Sequence, residues 1–279
     1  MVNGRTGAFW SRAFSVAGMA FTCVMLLAPI PAWAQDSFYV RQPEVEKGKT
    51  EIEDHSAVLT GNATEDLRQS HEIEGTYGLT DRWQVIVEGL LEQPLHEDLQ
   101  GTEVEIGTQF EMIKREGDGF DLAFRTEYEA VLERGKADEI LFGPIIKYVK
   151  GRASTTLDAF FTGQVGDRAD TEGLGYQYNW QAKYELNSRV GLGVEAFGKI
   201  EDLANAGSFN EQPHRVGPVI YLNFGEEAEG PEAKKPERGE TEREQETEAP
   251  EVNVAAGILF GLTDVTSDIT FKLDAELEF

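Results

Sequence analysis

Residues that could bind a transition metal are few and scattered. The chain has four histidines, His55, His71, His96 and His214, and one cysteine, Cys23. Tight metal sites need two or more such side chains at a fixed spacing, and no HExxH or His-x-His pair is present. We therefore expect neither a metal site nor a metal cofactor.

A nucleophile and its general base are the second chemistry to consider. No GxSxG, GxGxxG or Walker motif occurs in the sequence, so the hydrolase and nucleotide-binding sites built on those motifs are not indicated. Ser70 and His71 are adjacent, and adjacent side chains of a strand point to opposite faces. They cannot form a Ser–His pair, and we expect no catalytic residue, no cofactor and no enzyme.

Carboxylate is the abundant functional group. The chain has 51 Asp and Glu against 25 Lys and Arg, a formal net charge of −26, which argues against a nucleic-acid partner. Many charged residues recur at alternate positions and would share one polar face. That face is expected to line a lumen that favours cations or neutral solutes. The set is Glu72, Glu74, Glu88, Glu103, Glu105, Arg125, Glu127, Glu129, Lys183, Glu185, Glu195, Lys199, Arg215, Lys272, Asp274 and Glu276.

The elements that position these charges are strands, because the hydrophobic pattern has a period of two. In "RWQVIVEGLLE", Trp83, Val85 and Val87 fall in one phase, and Gln84 and Glu88 fall in the other. About twelve such segments are predicted, with the first the weakest. They lie near 47–58, 68–79, 83–93, 102–114, 120–132, 139–149, 154–165, 174–186, 190–201, 213–224, 252–261 and 268–279.

The first 34 residues have the pattern of a secretory signal peptide. Arg5 and Arg12 precede an apolar core, and Ala32 and Ala34 supply small residues at a cleavage site. An uncleaved membrane anchor is the alternative. The expected organisation is a signal peptide at 1–34 and one domain at 35–279, with an acidic insertion at 226–251. The insertion has no aromatic residue and no aliphatic side chain larger than Ala, so it is expected to be disordered.

Both a periplasmic β-sandwich and a membrane barrel would show this alternation, and the connections favour the barrel. Tight turns such as 78–82 and 149–154 alternate with longer polar stretches such as 93–101 and 202–213, as in outer-membrane barrels. Aromatic residues also collect at the two strand ends, as at two lipid–water interfaces. They are Tyr77, Trp83, Phe120, Tyr148, Tyr184 and Phe224 at one end, and Phe142, Phe161, Tyr176 and Phe260 at the other.

The last strand, "FKLDAELEF", resembles the C-terminal strand of bacterial outer-membrane β-barrels. In that family the strand ends in Phe, has apolar residues at alternate earlier positions, and is what the assembly machinery recognises. The matching residues are Phe271, Leu273, Ala275, Leu277 and Phe279. The resemblance implies an all-β, antiparallel, up-and-down transmembrane β-barrel of about 12 strands. It also implies outer-membrane lipid and the barrel assembly machinery as partners.

The segments "YGLTDRWQV", "FGPIIKY", "VGPVIYL" and "LFGLTD" loosely resemble a barrel family named for transport in the meta-pathway of phenol degradation. The family name implies passage of small hydrophobic or aromatic molecules. We expect a passive channel or transporter in the outer membrane, with strand 47–58 paired to strand 268–279 and both termini periplasmic. The alternatives are a structural barrel with an occluded lumen and, less favoured, an outer-membrane enzyme.

Overall fold

The computed structural model describes residues 38–61, 67–94, 97–132, 136–169, 173–225 and 250–279. The predicted signal peptide at 1–34 lies outside this part of the chain. So does the predicted insertion at 226–251, apart from Pro250 and Glu251. No helix among the described residues is long and apolar enough to cross a membrane.

Twelve antiparallel strands close into a barrel in sequential order, so the predicted fold class is confirmed and the sandwich alternative is wrong. Every predicted strand boundary lies within three residues of the observed one. The strands are β1 Thr50–Thr60, β2 Leu67–Thr80, β3 Trp83–Pro94, β4 Gln100–Ile113, β5 Gly119–Val131, β6 Asp138–Lys150, β7 Ala153–Val165, β8 Gly175–Glu185, β9 Val190–Ile200, β10 His214–Asn223, β11 Glu251–Gly261 and β12 Ile269–Glu278.

The first and last strands complete the barrel wall. β1 pairs with β12, with Ile52 opposite Leu277 and Val58 opposite Phe271, which confirms the predicted pairing. β1 begins at Thr50 rather than at 47 because a turn precedes it. Gly48 has φ +84°, a left-handed conformation that favours glycine.

The two rims of the barrel differ in their connections. At the rim that carries Thr50 and Phe279, residues 81–82 join β2 to β3 and residues 151–152 join β6 to β7. We call this the short-turn rim. Two loops lie at the opposite, long-loop rim: the one after β7, of which residues 166–169 and 173–174 are described, and the one formed by residues 201–213. The second of these loops contains two short 3₁₀ helices, Leu203–Asn205 and Phe209–Glu211.

Burial in this barrel is the reverse of burial in a water-soluble protein. On the outer face Val87 is 57% exposed and Ile106 is 64% exposed. On the inner face Glu88 is 2% exposed and Glu111 is 0% exposed. Such a wall is stable where apolar surroundings cover the outside and the polar groups pair within.

Candidate functional site

The chain that precedes β1 turns back into the barrel interior. Phe38, Tyr39 and Arg41 are each no more than 7% exposed, and Val45 is 2% exposed. We call residues 38–49 the N-terminal segment. Its sequence has no strand period and contains Pro43, so sequence analysis gave no signal that it would enter the lumen.

The wall holds the backbone of this segment through buried carboxylates. The Arg41 amide donates a hydrogen bond to Asp158 Oδ2 at 2.9 Å. The Val45 amide donates to Glu111 Oε2 at 3.1 Å. A buried amide without a partner would be costly, so these two acids satisfy groups that a non-regular segment leaves unpaired.

The Arg41 side chain reaches a cluster of carboxylates on the wall. Its Nη2 lies 3.6–3.9 Å from one oxygen each of Glu72, Glu88 and Glu127. Its guanidinium also lies 5.4 Å from the centre of the buried Phe160 ring. The segment thus carries a positive charge into the most acidic part of the lumen, where the paired charges stabilise one another.

Arg125, on β5, is the wall's own cation in this cluster. It donates to Glu74 Oε2 at 2.9 Å and also hydrogen-bonds Glu88 and Glu127. The Tyr39 hydroxyl of the segment donates to the same Glu74 carboxylate. One arginine from the wall and one from the segment therefore share the carboxylates of Glu88 and Glu127.

A second network lies on the strands where the barrel closes. Lys272 Nζ donates to Glu195 Oε2 at 2.6 Å and to Asp274 Oδ2, 2.8 Å away. His55 Nδ1 lies 3.3 Å from Asp274 Oδ1, and the Tyr221 hydroxyl donates to Glu195 Oε1 at 2.7 Å. This network connects β1, β12, β9 and β10 across the interior.

A cavity of about 840 Å³ occupies the short-turn half of the barrel. Near the rim it is lined by Arg152, Lys183 and Asn223, and at its inner end by Tyr39 and Val40. The inner end of this space is therefore formed in part by the N-terminal segment.

Glu44 anchors the segment beside this cavity. Lys147 Nζ donates to its Oε1 at 2.6 Å and Arg115 Nη1 donates to the same oxygen at 2.8 Å. Burial would raise the pKa of Glu44, but the charges and hydrogen bonds of Lys147 and Arg115 lower it below its usual value. The carboxylate is thus ionised and paired at neutral pH.

The residues predicted to line the lumen lie in the inward-facing phase of their strands. Some of them are buried and the others are half-buried. The buried ones are Glu72, Glu74, Glu88, Glu105, Arg125, Glu127, Glu129, Glu195, Arg215 and Lys272. The half-buried ones are Glu103, Lys183, Glu185, Lys199, Asp274 and Glu276.

The residues of the predicted assembly signal lie on β12 and at its end. Phe271 is 44% exposed and Phe279 is 60% exposed, while Leu273, Ala275 and Leu277 between them are partly exposed. The Phe279 amide donates to the Thr50 carbonyl at 2.9 Å, at the short-turn rim.

Three groups of carboxylate and imidazole ligands lie close enough together to hold a cation, although the sequence predicts no metal site. They are His55, Glu72 and Glu74; Glu51, Glu276 and Glu278; and Glu88, Glu105 and Glu127. Arg125 contacts Glu74 and Glu88, and Lys49 contacts Glu51 and Glu278, so each of the three groups has a member paired with a cation. Among the described residues, these cations therefore already balance part of the negative charge of each group.

One polar contact on the outer wall was missed by sequence analysis. The Ser56 hydroxyl lies 2.8 Å from His71 Nδ1, because β1 and β2 pair with Ser56 directly opposite His71. Ser70, the neighbour of His71 in sequence, is fully buried and belongs to the inner face. The register of β1 and β2 brings Ser56 opposite His71. Asp54 and Ser56 interrupt the outer apolar phase of β1, and this interruption was the one sequence signal of a polar contact on the outer wall.

No family model matches the sequence, and no curated protein matches it. Solved structures with a similar chain path include the KdgM porin, with a TM-score of 0.48 and 9% sequence identity over 82% of this chain and 98% of that one. Another is the outer membrane protein Omp33 of Acinetobacter baumannii, with a TM-score of 0.46 and 12% identity over 85% of this chain and 100% of that one.

Proposed function

We propose that this chain is an outer-membrane barrel that works as a passive channel for small solutes, and that the N-terminal segment restricts the passage. One observation carries the proposal: the 840 Å³ cavity reaches Tyr39 and Val40, which belong to that segment. A segment held by side chains can withdraw from a lumen, whereas a wall strand cannot leave without opening the barrel.

Placement in a membrane is supported by the outer surface. Arg or Lys at the bilayer midplane on such a face costs about 2–4 kcal/mol, and the middle of the outer face carries exposed apolar side chains such as Val87, Ile106 and Phe110. We place the short-turn rim in the periplasm, as is usual for bacterial outer-membrane barrels. Membrane lipid and the assembly machinery, acting on the strand that ends at Phe279, are the partners in this proposal.

The charge of the lumen supports a preference for cations. Acids such as the half-buried Glu185 and bases such as Lys183 both line the 840 Å³ cavity. Among the lumen residues predicted from sequence, 11 are acids and 5 are bases. Rings of carboxylates concentrate cations and repel anions. Solutes that are neutral or positively charged are therefore the proposed substrate class.

Reversal potentials in a KCl gradient across planar bilayers test this preference. The protein is expected to favour K⁺ over Cl⁻, and Glu185→Gln is expected to reduce that preference because it removes a cavity carboxylate. Glu97→Gln, at an exposed position in the loop between β3 and β4, is the control and should leave the preference unchanged. Preference for Cl⁻ in folded protein would contradict the proposed selectivity.

A structural barrel with a permanently blocked lumen is the second candidate. It is favoured by the buried network around Arg41 and Arg125, both no more than 5% exposed. The two candidates differ in what happens when the segment is removed: the channel then passes solute, and the structural barrel does not.

A further inference from the structure

A row of glutamates runs around the inner wall in a continuous strand register. Each member lies directly opposite the next one on the neighbouring strand: Glu74 faces Glu88 across β2 and β3, and Glu88 faces Glu105 across β3 and β4. We call this row the glutamate ladder. In order from β12 through β1 to β6, it consists of Glu276, Glu53, Glu74, Glu88, Glu105, Glu129 and Glu139.

The ladder climbs the wall from one rim to the other. Glu276 is the third residue from the end of β12, at the short-turn rim, and Glu139 is the second residue of β6, at the long-loop rim. The climb arises because the strands of a closed barrel are staggered. Glu276 and Glu53 also line the 840 Å³ cavity. The ladder therefore leads from this cavity to the opposite rim.

Such a row of acids requires cations, because like charges directly opposite one another in a sheet are destabilising. Arg125 supplies positive charge to Glu74 and Glu88. Glu105, the next member, is 6% exposed, and no described residue donates a hydrogen bond to its carboxylate or forms an ion pair with it. A buried carboxylate without a partner is costly. Glu105 therefore marks a place for a cation.

The N-terminal segment already places an organic cation against the ladder. Arg41 Nη2 lies 3.6 Å from Glu88 Oε2, an oxygen that accepts no hydrogen bond among the described residues. The two groups are thus paired by charge alone, and a cation that also donated a hydrogen bond to this oxygen would bind it more strongly. The surroundings of Glu88 and Glu105 suit a nitrogen cation with N–H donors.

We propose that the glutamate ladder binds linear polyamines, and that these are solutes of the channel proposed above, on which this inference rests. Directly opposite residues of an antiparallel pair have Cα atoms about 4.5–5.5 Å apart. With bonds of about 1.5 Å, ammonium nitrogens joined by three or four methylenes lie about 5–6 Å apart in an extended chain. Successive ammonium groups of one molecule can therefore pair with successive carboxylates.

The linear arrangement favours a chain of charges over a single ion. Linking several charges in one molecule makes each further pairing intramolecular, which strengthens binding beyond that of a monoamine. A divalent metal ion is the competing occupant, because oxygens of Glu88, Glu105 and Glu127 lie within 4.8 Å of one another. A polyamine that reaches Glu88 would displace Arg41, and its binding would thus favour withdrawal of the N-terminal segment.

Equilibrium dialysis of the full-length protein with radiolabelled spermidine tests the ladder. Unlabelled n-butylamine and MgCl₂ are the competitors, and heat-modifiability on gels confirms folding. Spermidine is expected to bind about 10-fold or more tightly than either competitor, because only spermidine spans several carboxylates. Folded protein that binds no spermidine, or that binds butylamine equally well, would overturn the proposal. Tighter binding of Mg²⁺ would identify a metal site instead and would also overturn it.

A matched pair of variants locates the binding. Glu105→Gln should weaken spermidine binding by about 10-fold, the effect of losing one of several linked charge pairs. It should leave the barrel folded, since this carboxylate has no partner to lose. Asp121→Asn is the control: Asp121 is also a buried acid of the inner wall, but it is outside the ladder and accepts from the Arg115 amide at 2.7 Å. Equal affinity of the two variants for spermidine would contradict the assignment.

Binding and conductance separate the ladder from the channel. In planar bilayers, spermidine is expected to reduce the K⁺ current of the unaltered protein and to reduce that of Glu105→Gln less. Folded protein that binds spermidine but conducts no ions would remove the proposed channel and leave the binding site in place. Folded protein that conducts K⁺ but does not bind spermidine would leave the channel in place and remove the polyamine site.

Discussion

Arg41 places the positive charge of the N-terminal segment among buried acids of the barrel wall. Glu72 Oε1, Glu88 Oε2 and Glu127 Oε2 have no hydrogen-bond partner among the described residues, and each lies within 4 Å of the Arg41 guanidinium. Arg125 alone would leave this group of buried acids with excess negative charge. The positive charge of Arg41 therefore holds the N-terminal segment against the acids of the wall.

Removal of that charge should destabilise the barrel. Arg41→Ala is expected to lower the free energy of unfolding by about 3–5 kcal/mol, the typical cost of breaking a buried ion pair from one side. Urea unfolding of protein refolded into vesicles measures the change. Arg168→Ala, which removes an exposed loop side chain with one bond to the Lys136 carbonyl, is the control and should have little effect. Equal stability of the two variants would show that Arg41 is not a structural cation.

At the scale of elements, the N-terminal segment is fixed most closely where it leaves the barrel. The Gly48 amide donates to the Gly78 carbonyl at 2.8 Å, and the Gly78 amide donates to the Lys49 carbonyl at 3.0 Å. A Cβ at Gly78 would collide with the Glu46 carbonyl oxygen. Only glycine at this point of β2 lets the segment pass so close to the wall.

Gly78→Ala should therefore loosen the segment without opening the barrel. We expect trypsin to cleave after Arg41 and Lys47 faster in this variant than in the unaltered protein, with the cut sites identified by mass spectrometry. Gly89→Ala is the matched control, because a Cβ at Gly89 would meet nothing within 4 Å. Equal cleavage rates in both variants would mean that the close approach does not hold the segment.

The strands could be predicted from sequence because they follow a local pattern, whereas the path of the N-terminal segment depends on contacts between residues far apart in the chain. Alternation such as Val85, Val87 and Glu88 is a local property of the chain, and strand closure follows because no edge is left open. The contact of Arg41 with Asp158 joins residues 117 positions apart, and no local pattern encodes it. The Ser56–His71 contact depends on the register of β1 and β2, which sequence analysis did not assign.

At the scale of the whole molecule, the barrel combines an apolar exterior with an interior that is polar and largely paired. In the proposed channel, the path from the short-turn rim leads through the 840 Å³ cavity to the N-terminal segment. Beyond it lie the acids around Arg125, whose charge the segment partly balances. We therefore expect residues 38–49, and not the wall, to close the proposed channel.

Single-channel conductance of the full chain and of a variant lacking residues 38–45 tests this claim most directly. The deletion leaves all strand residues in place, and heat-modifiability on gels confirms folding. The full chain should show low conductance, and the deletion variant should show clear steps of higher conductance that favour K⁺ over Cl⁻. A folded deletion variant whose conductance is no higher than that of the full chain would contradict the account.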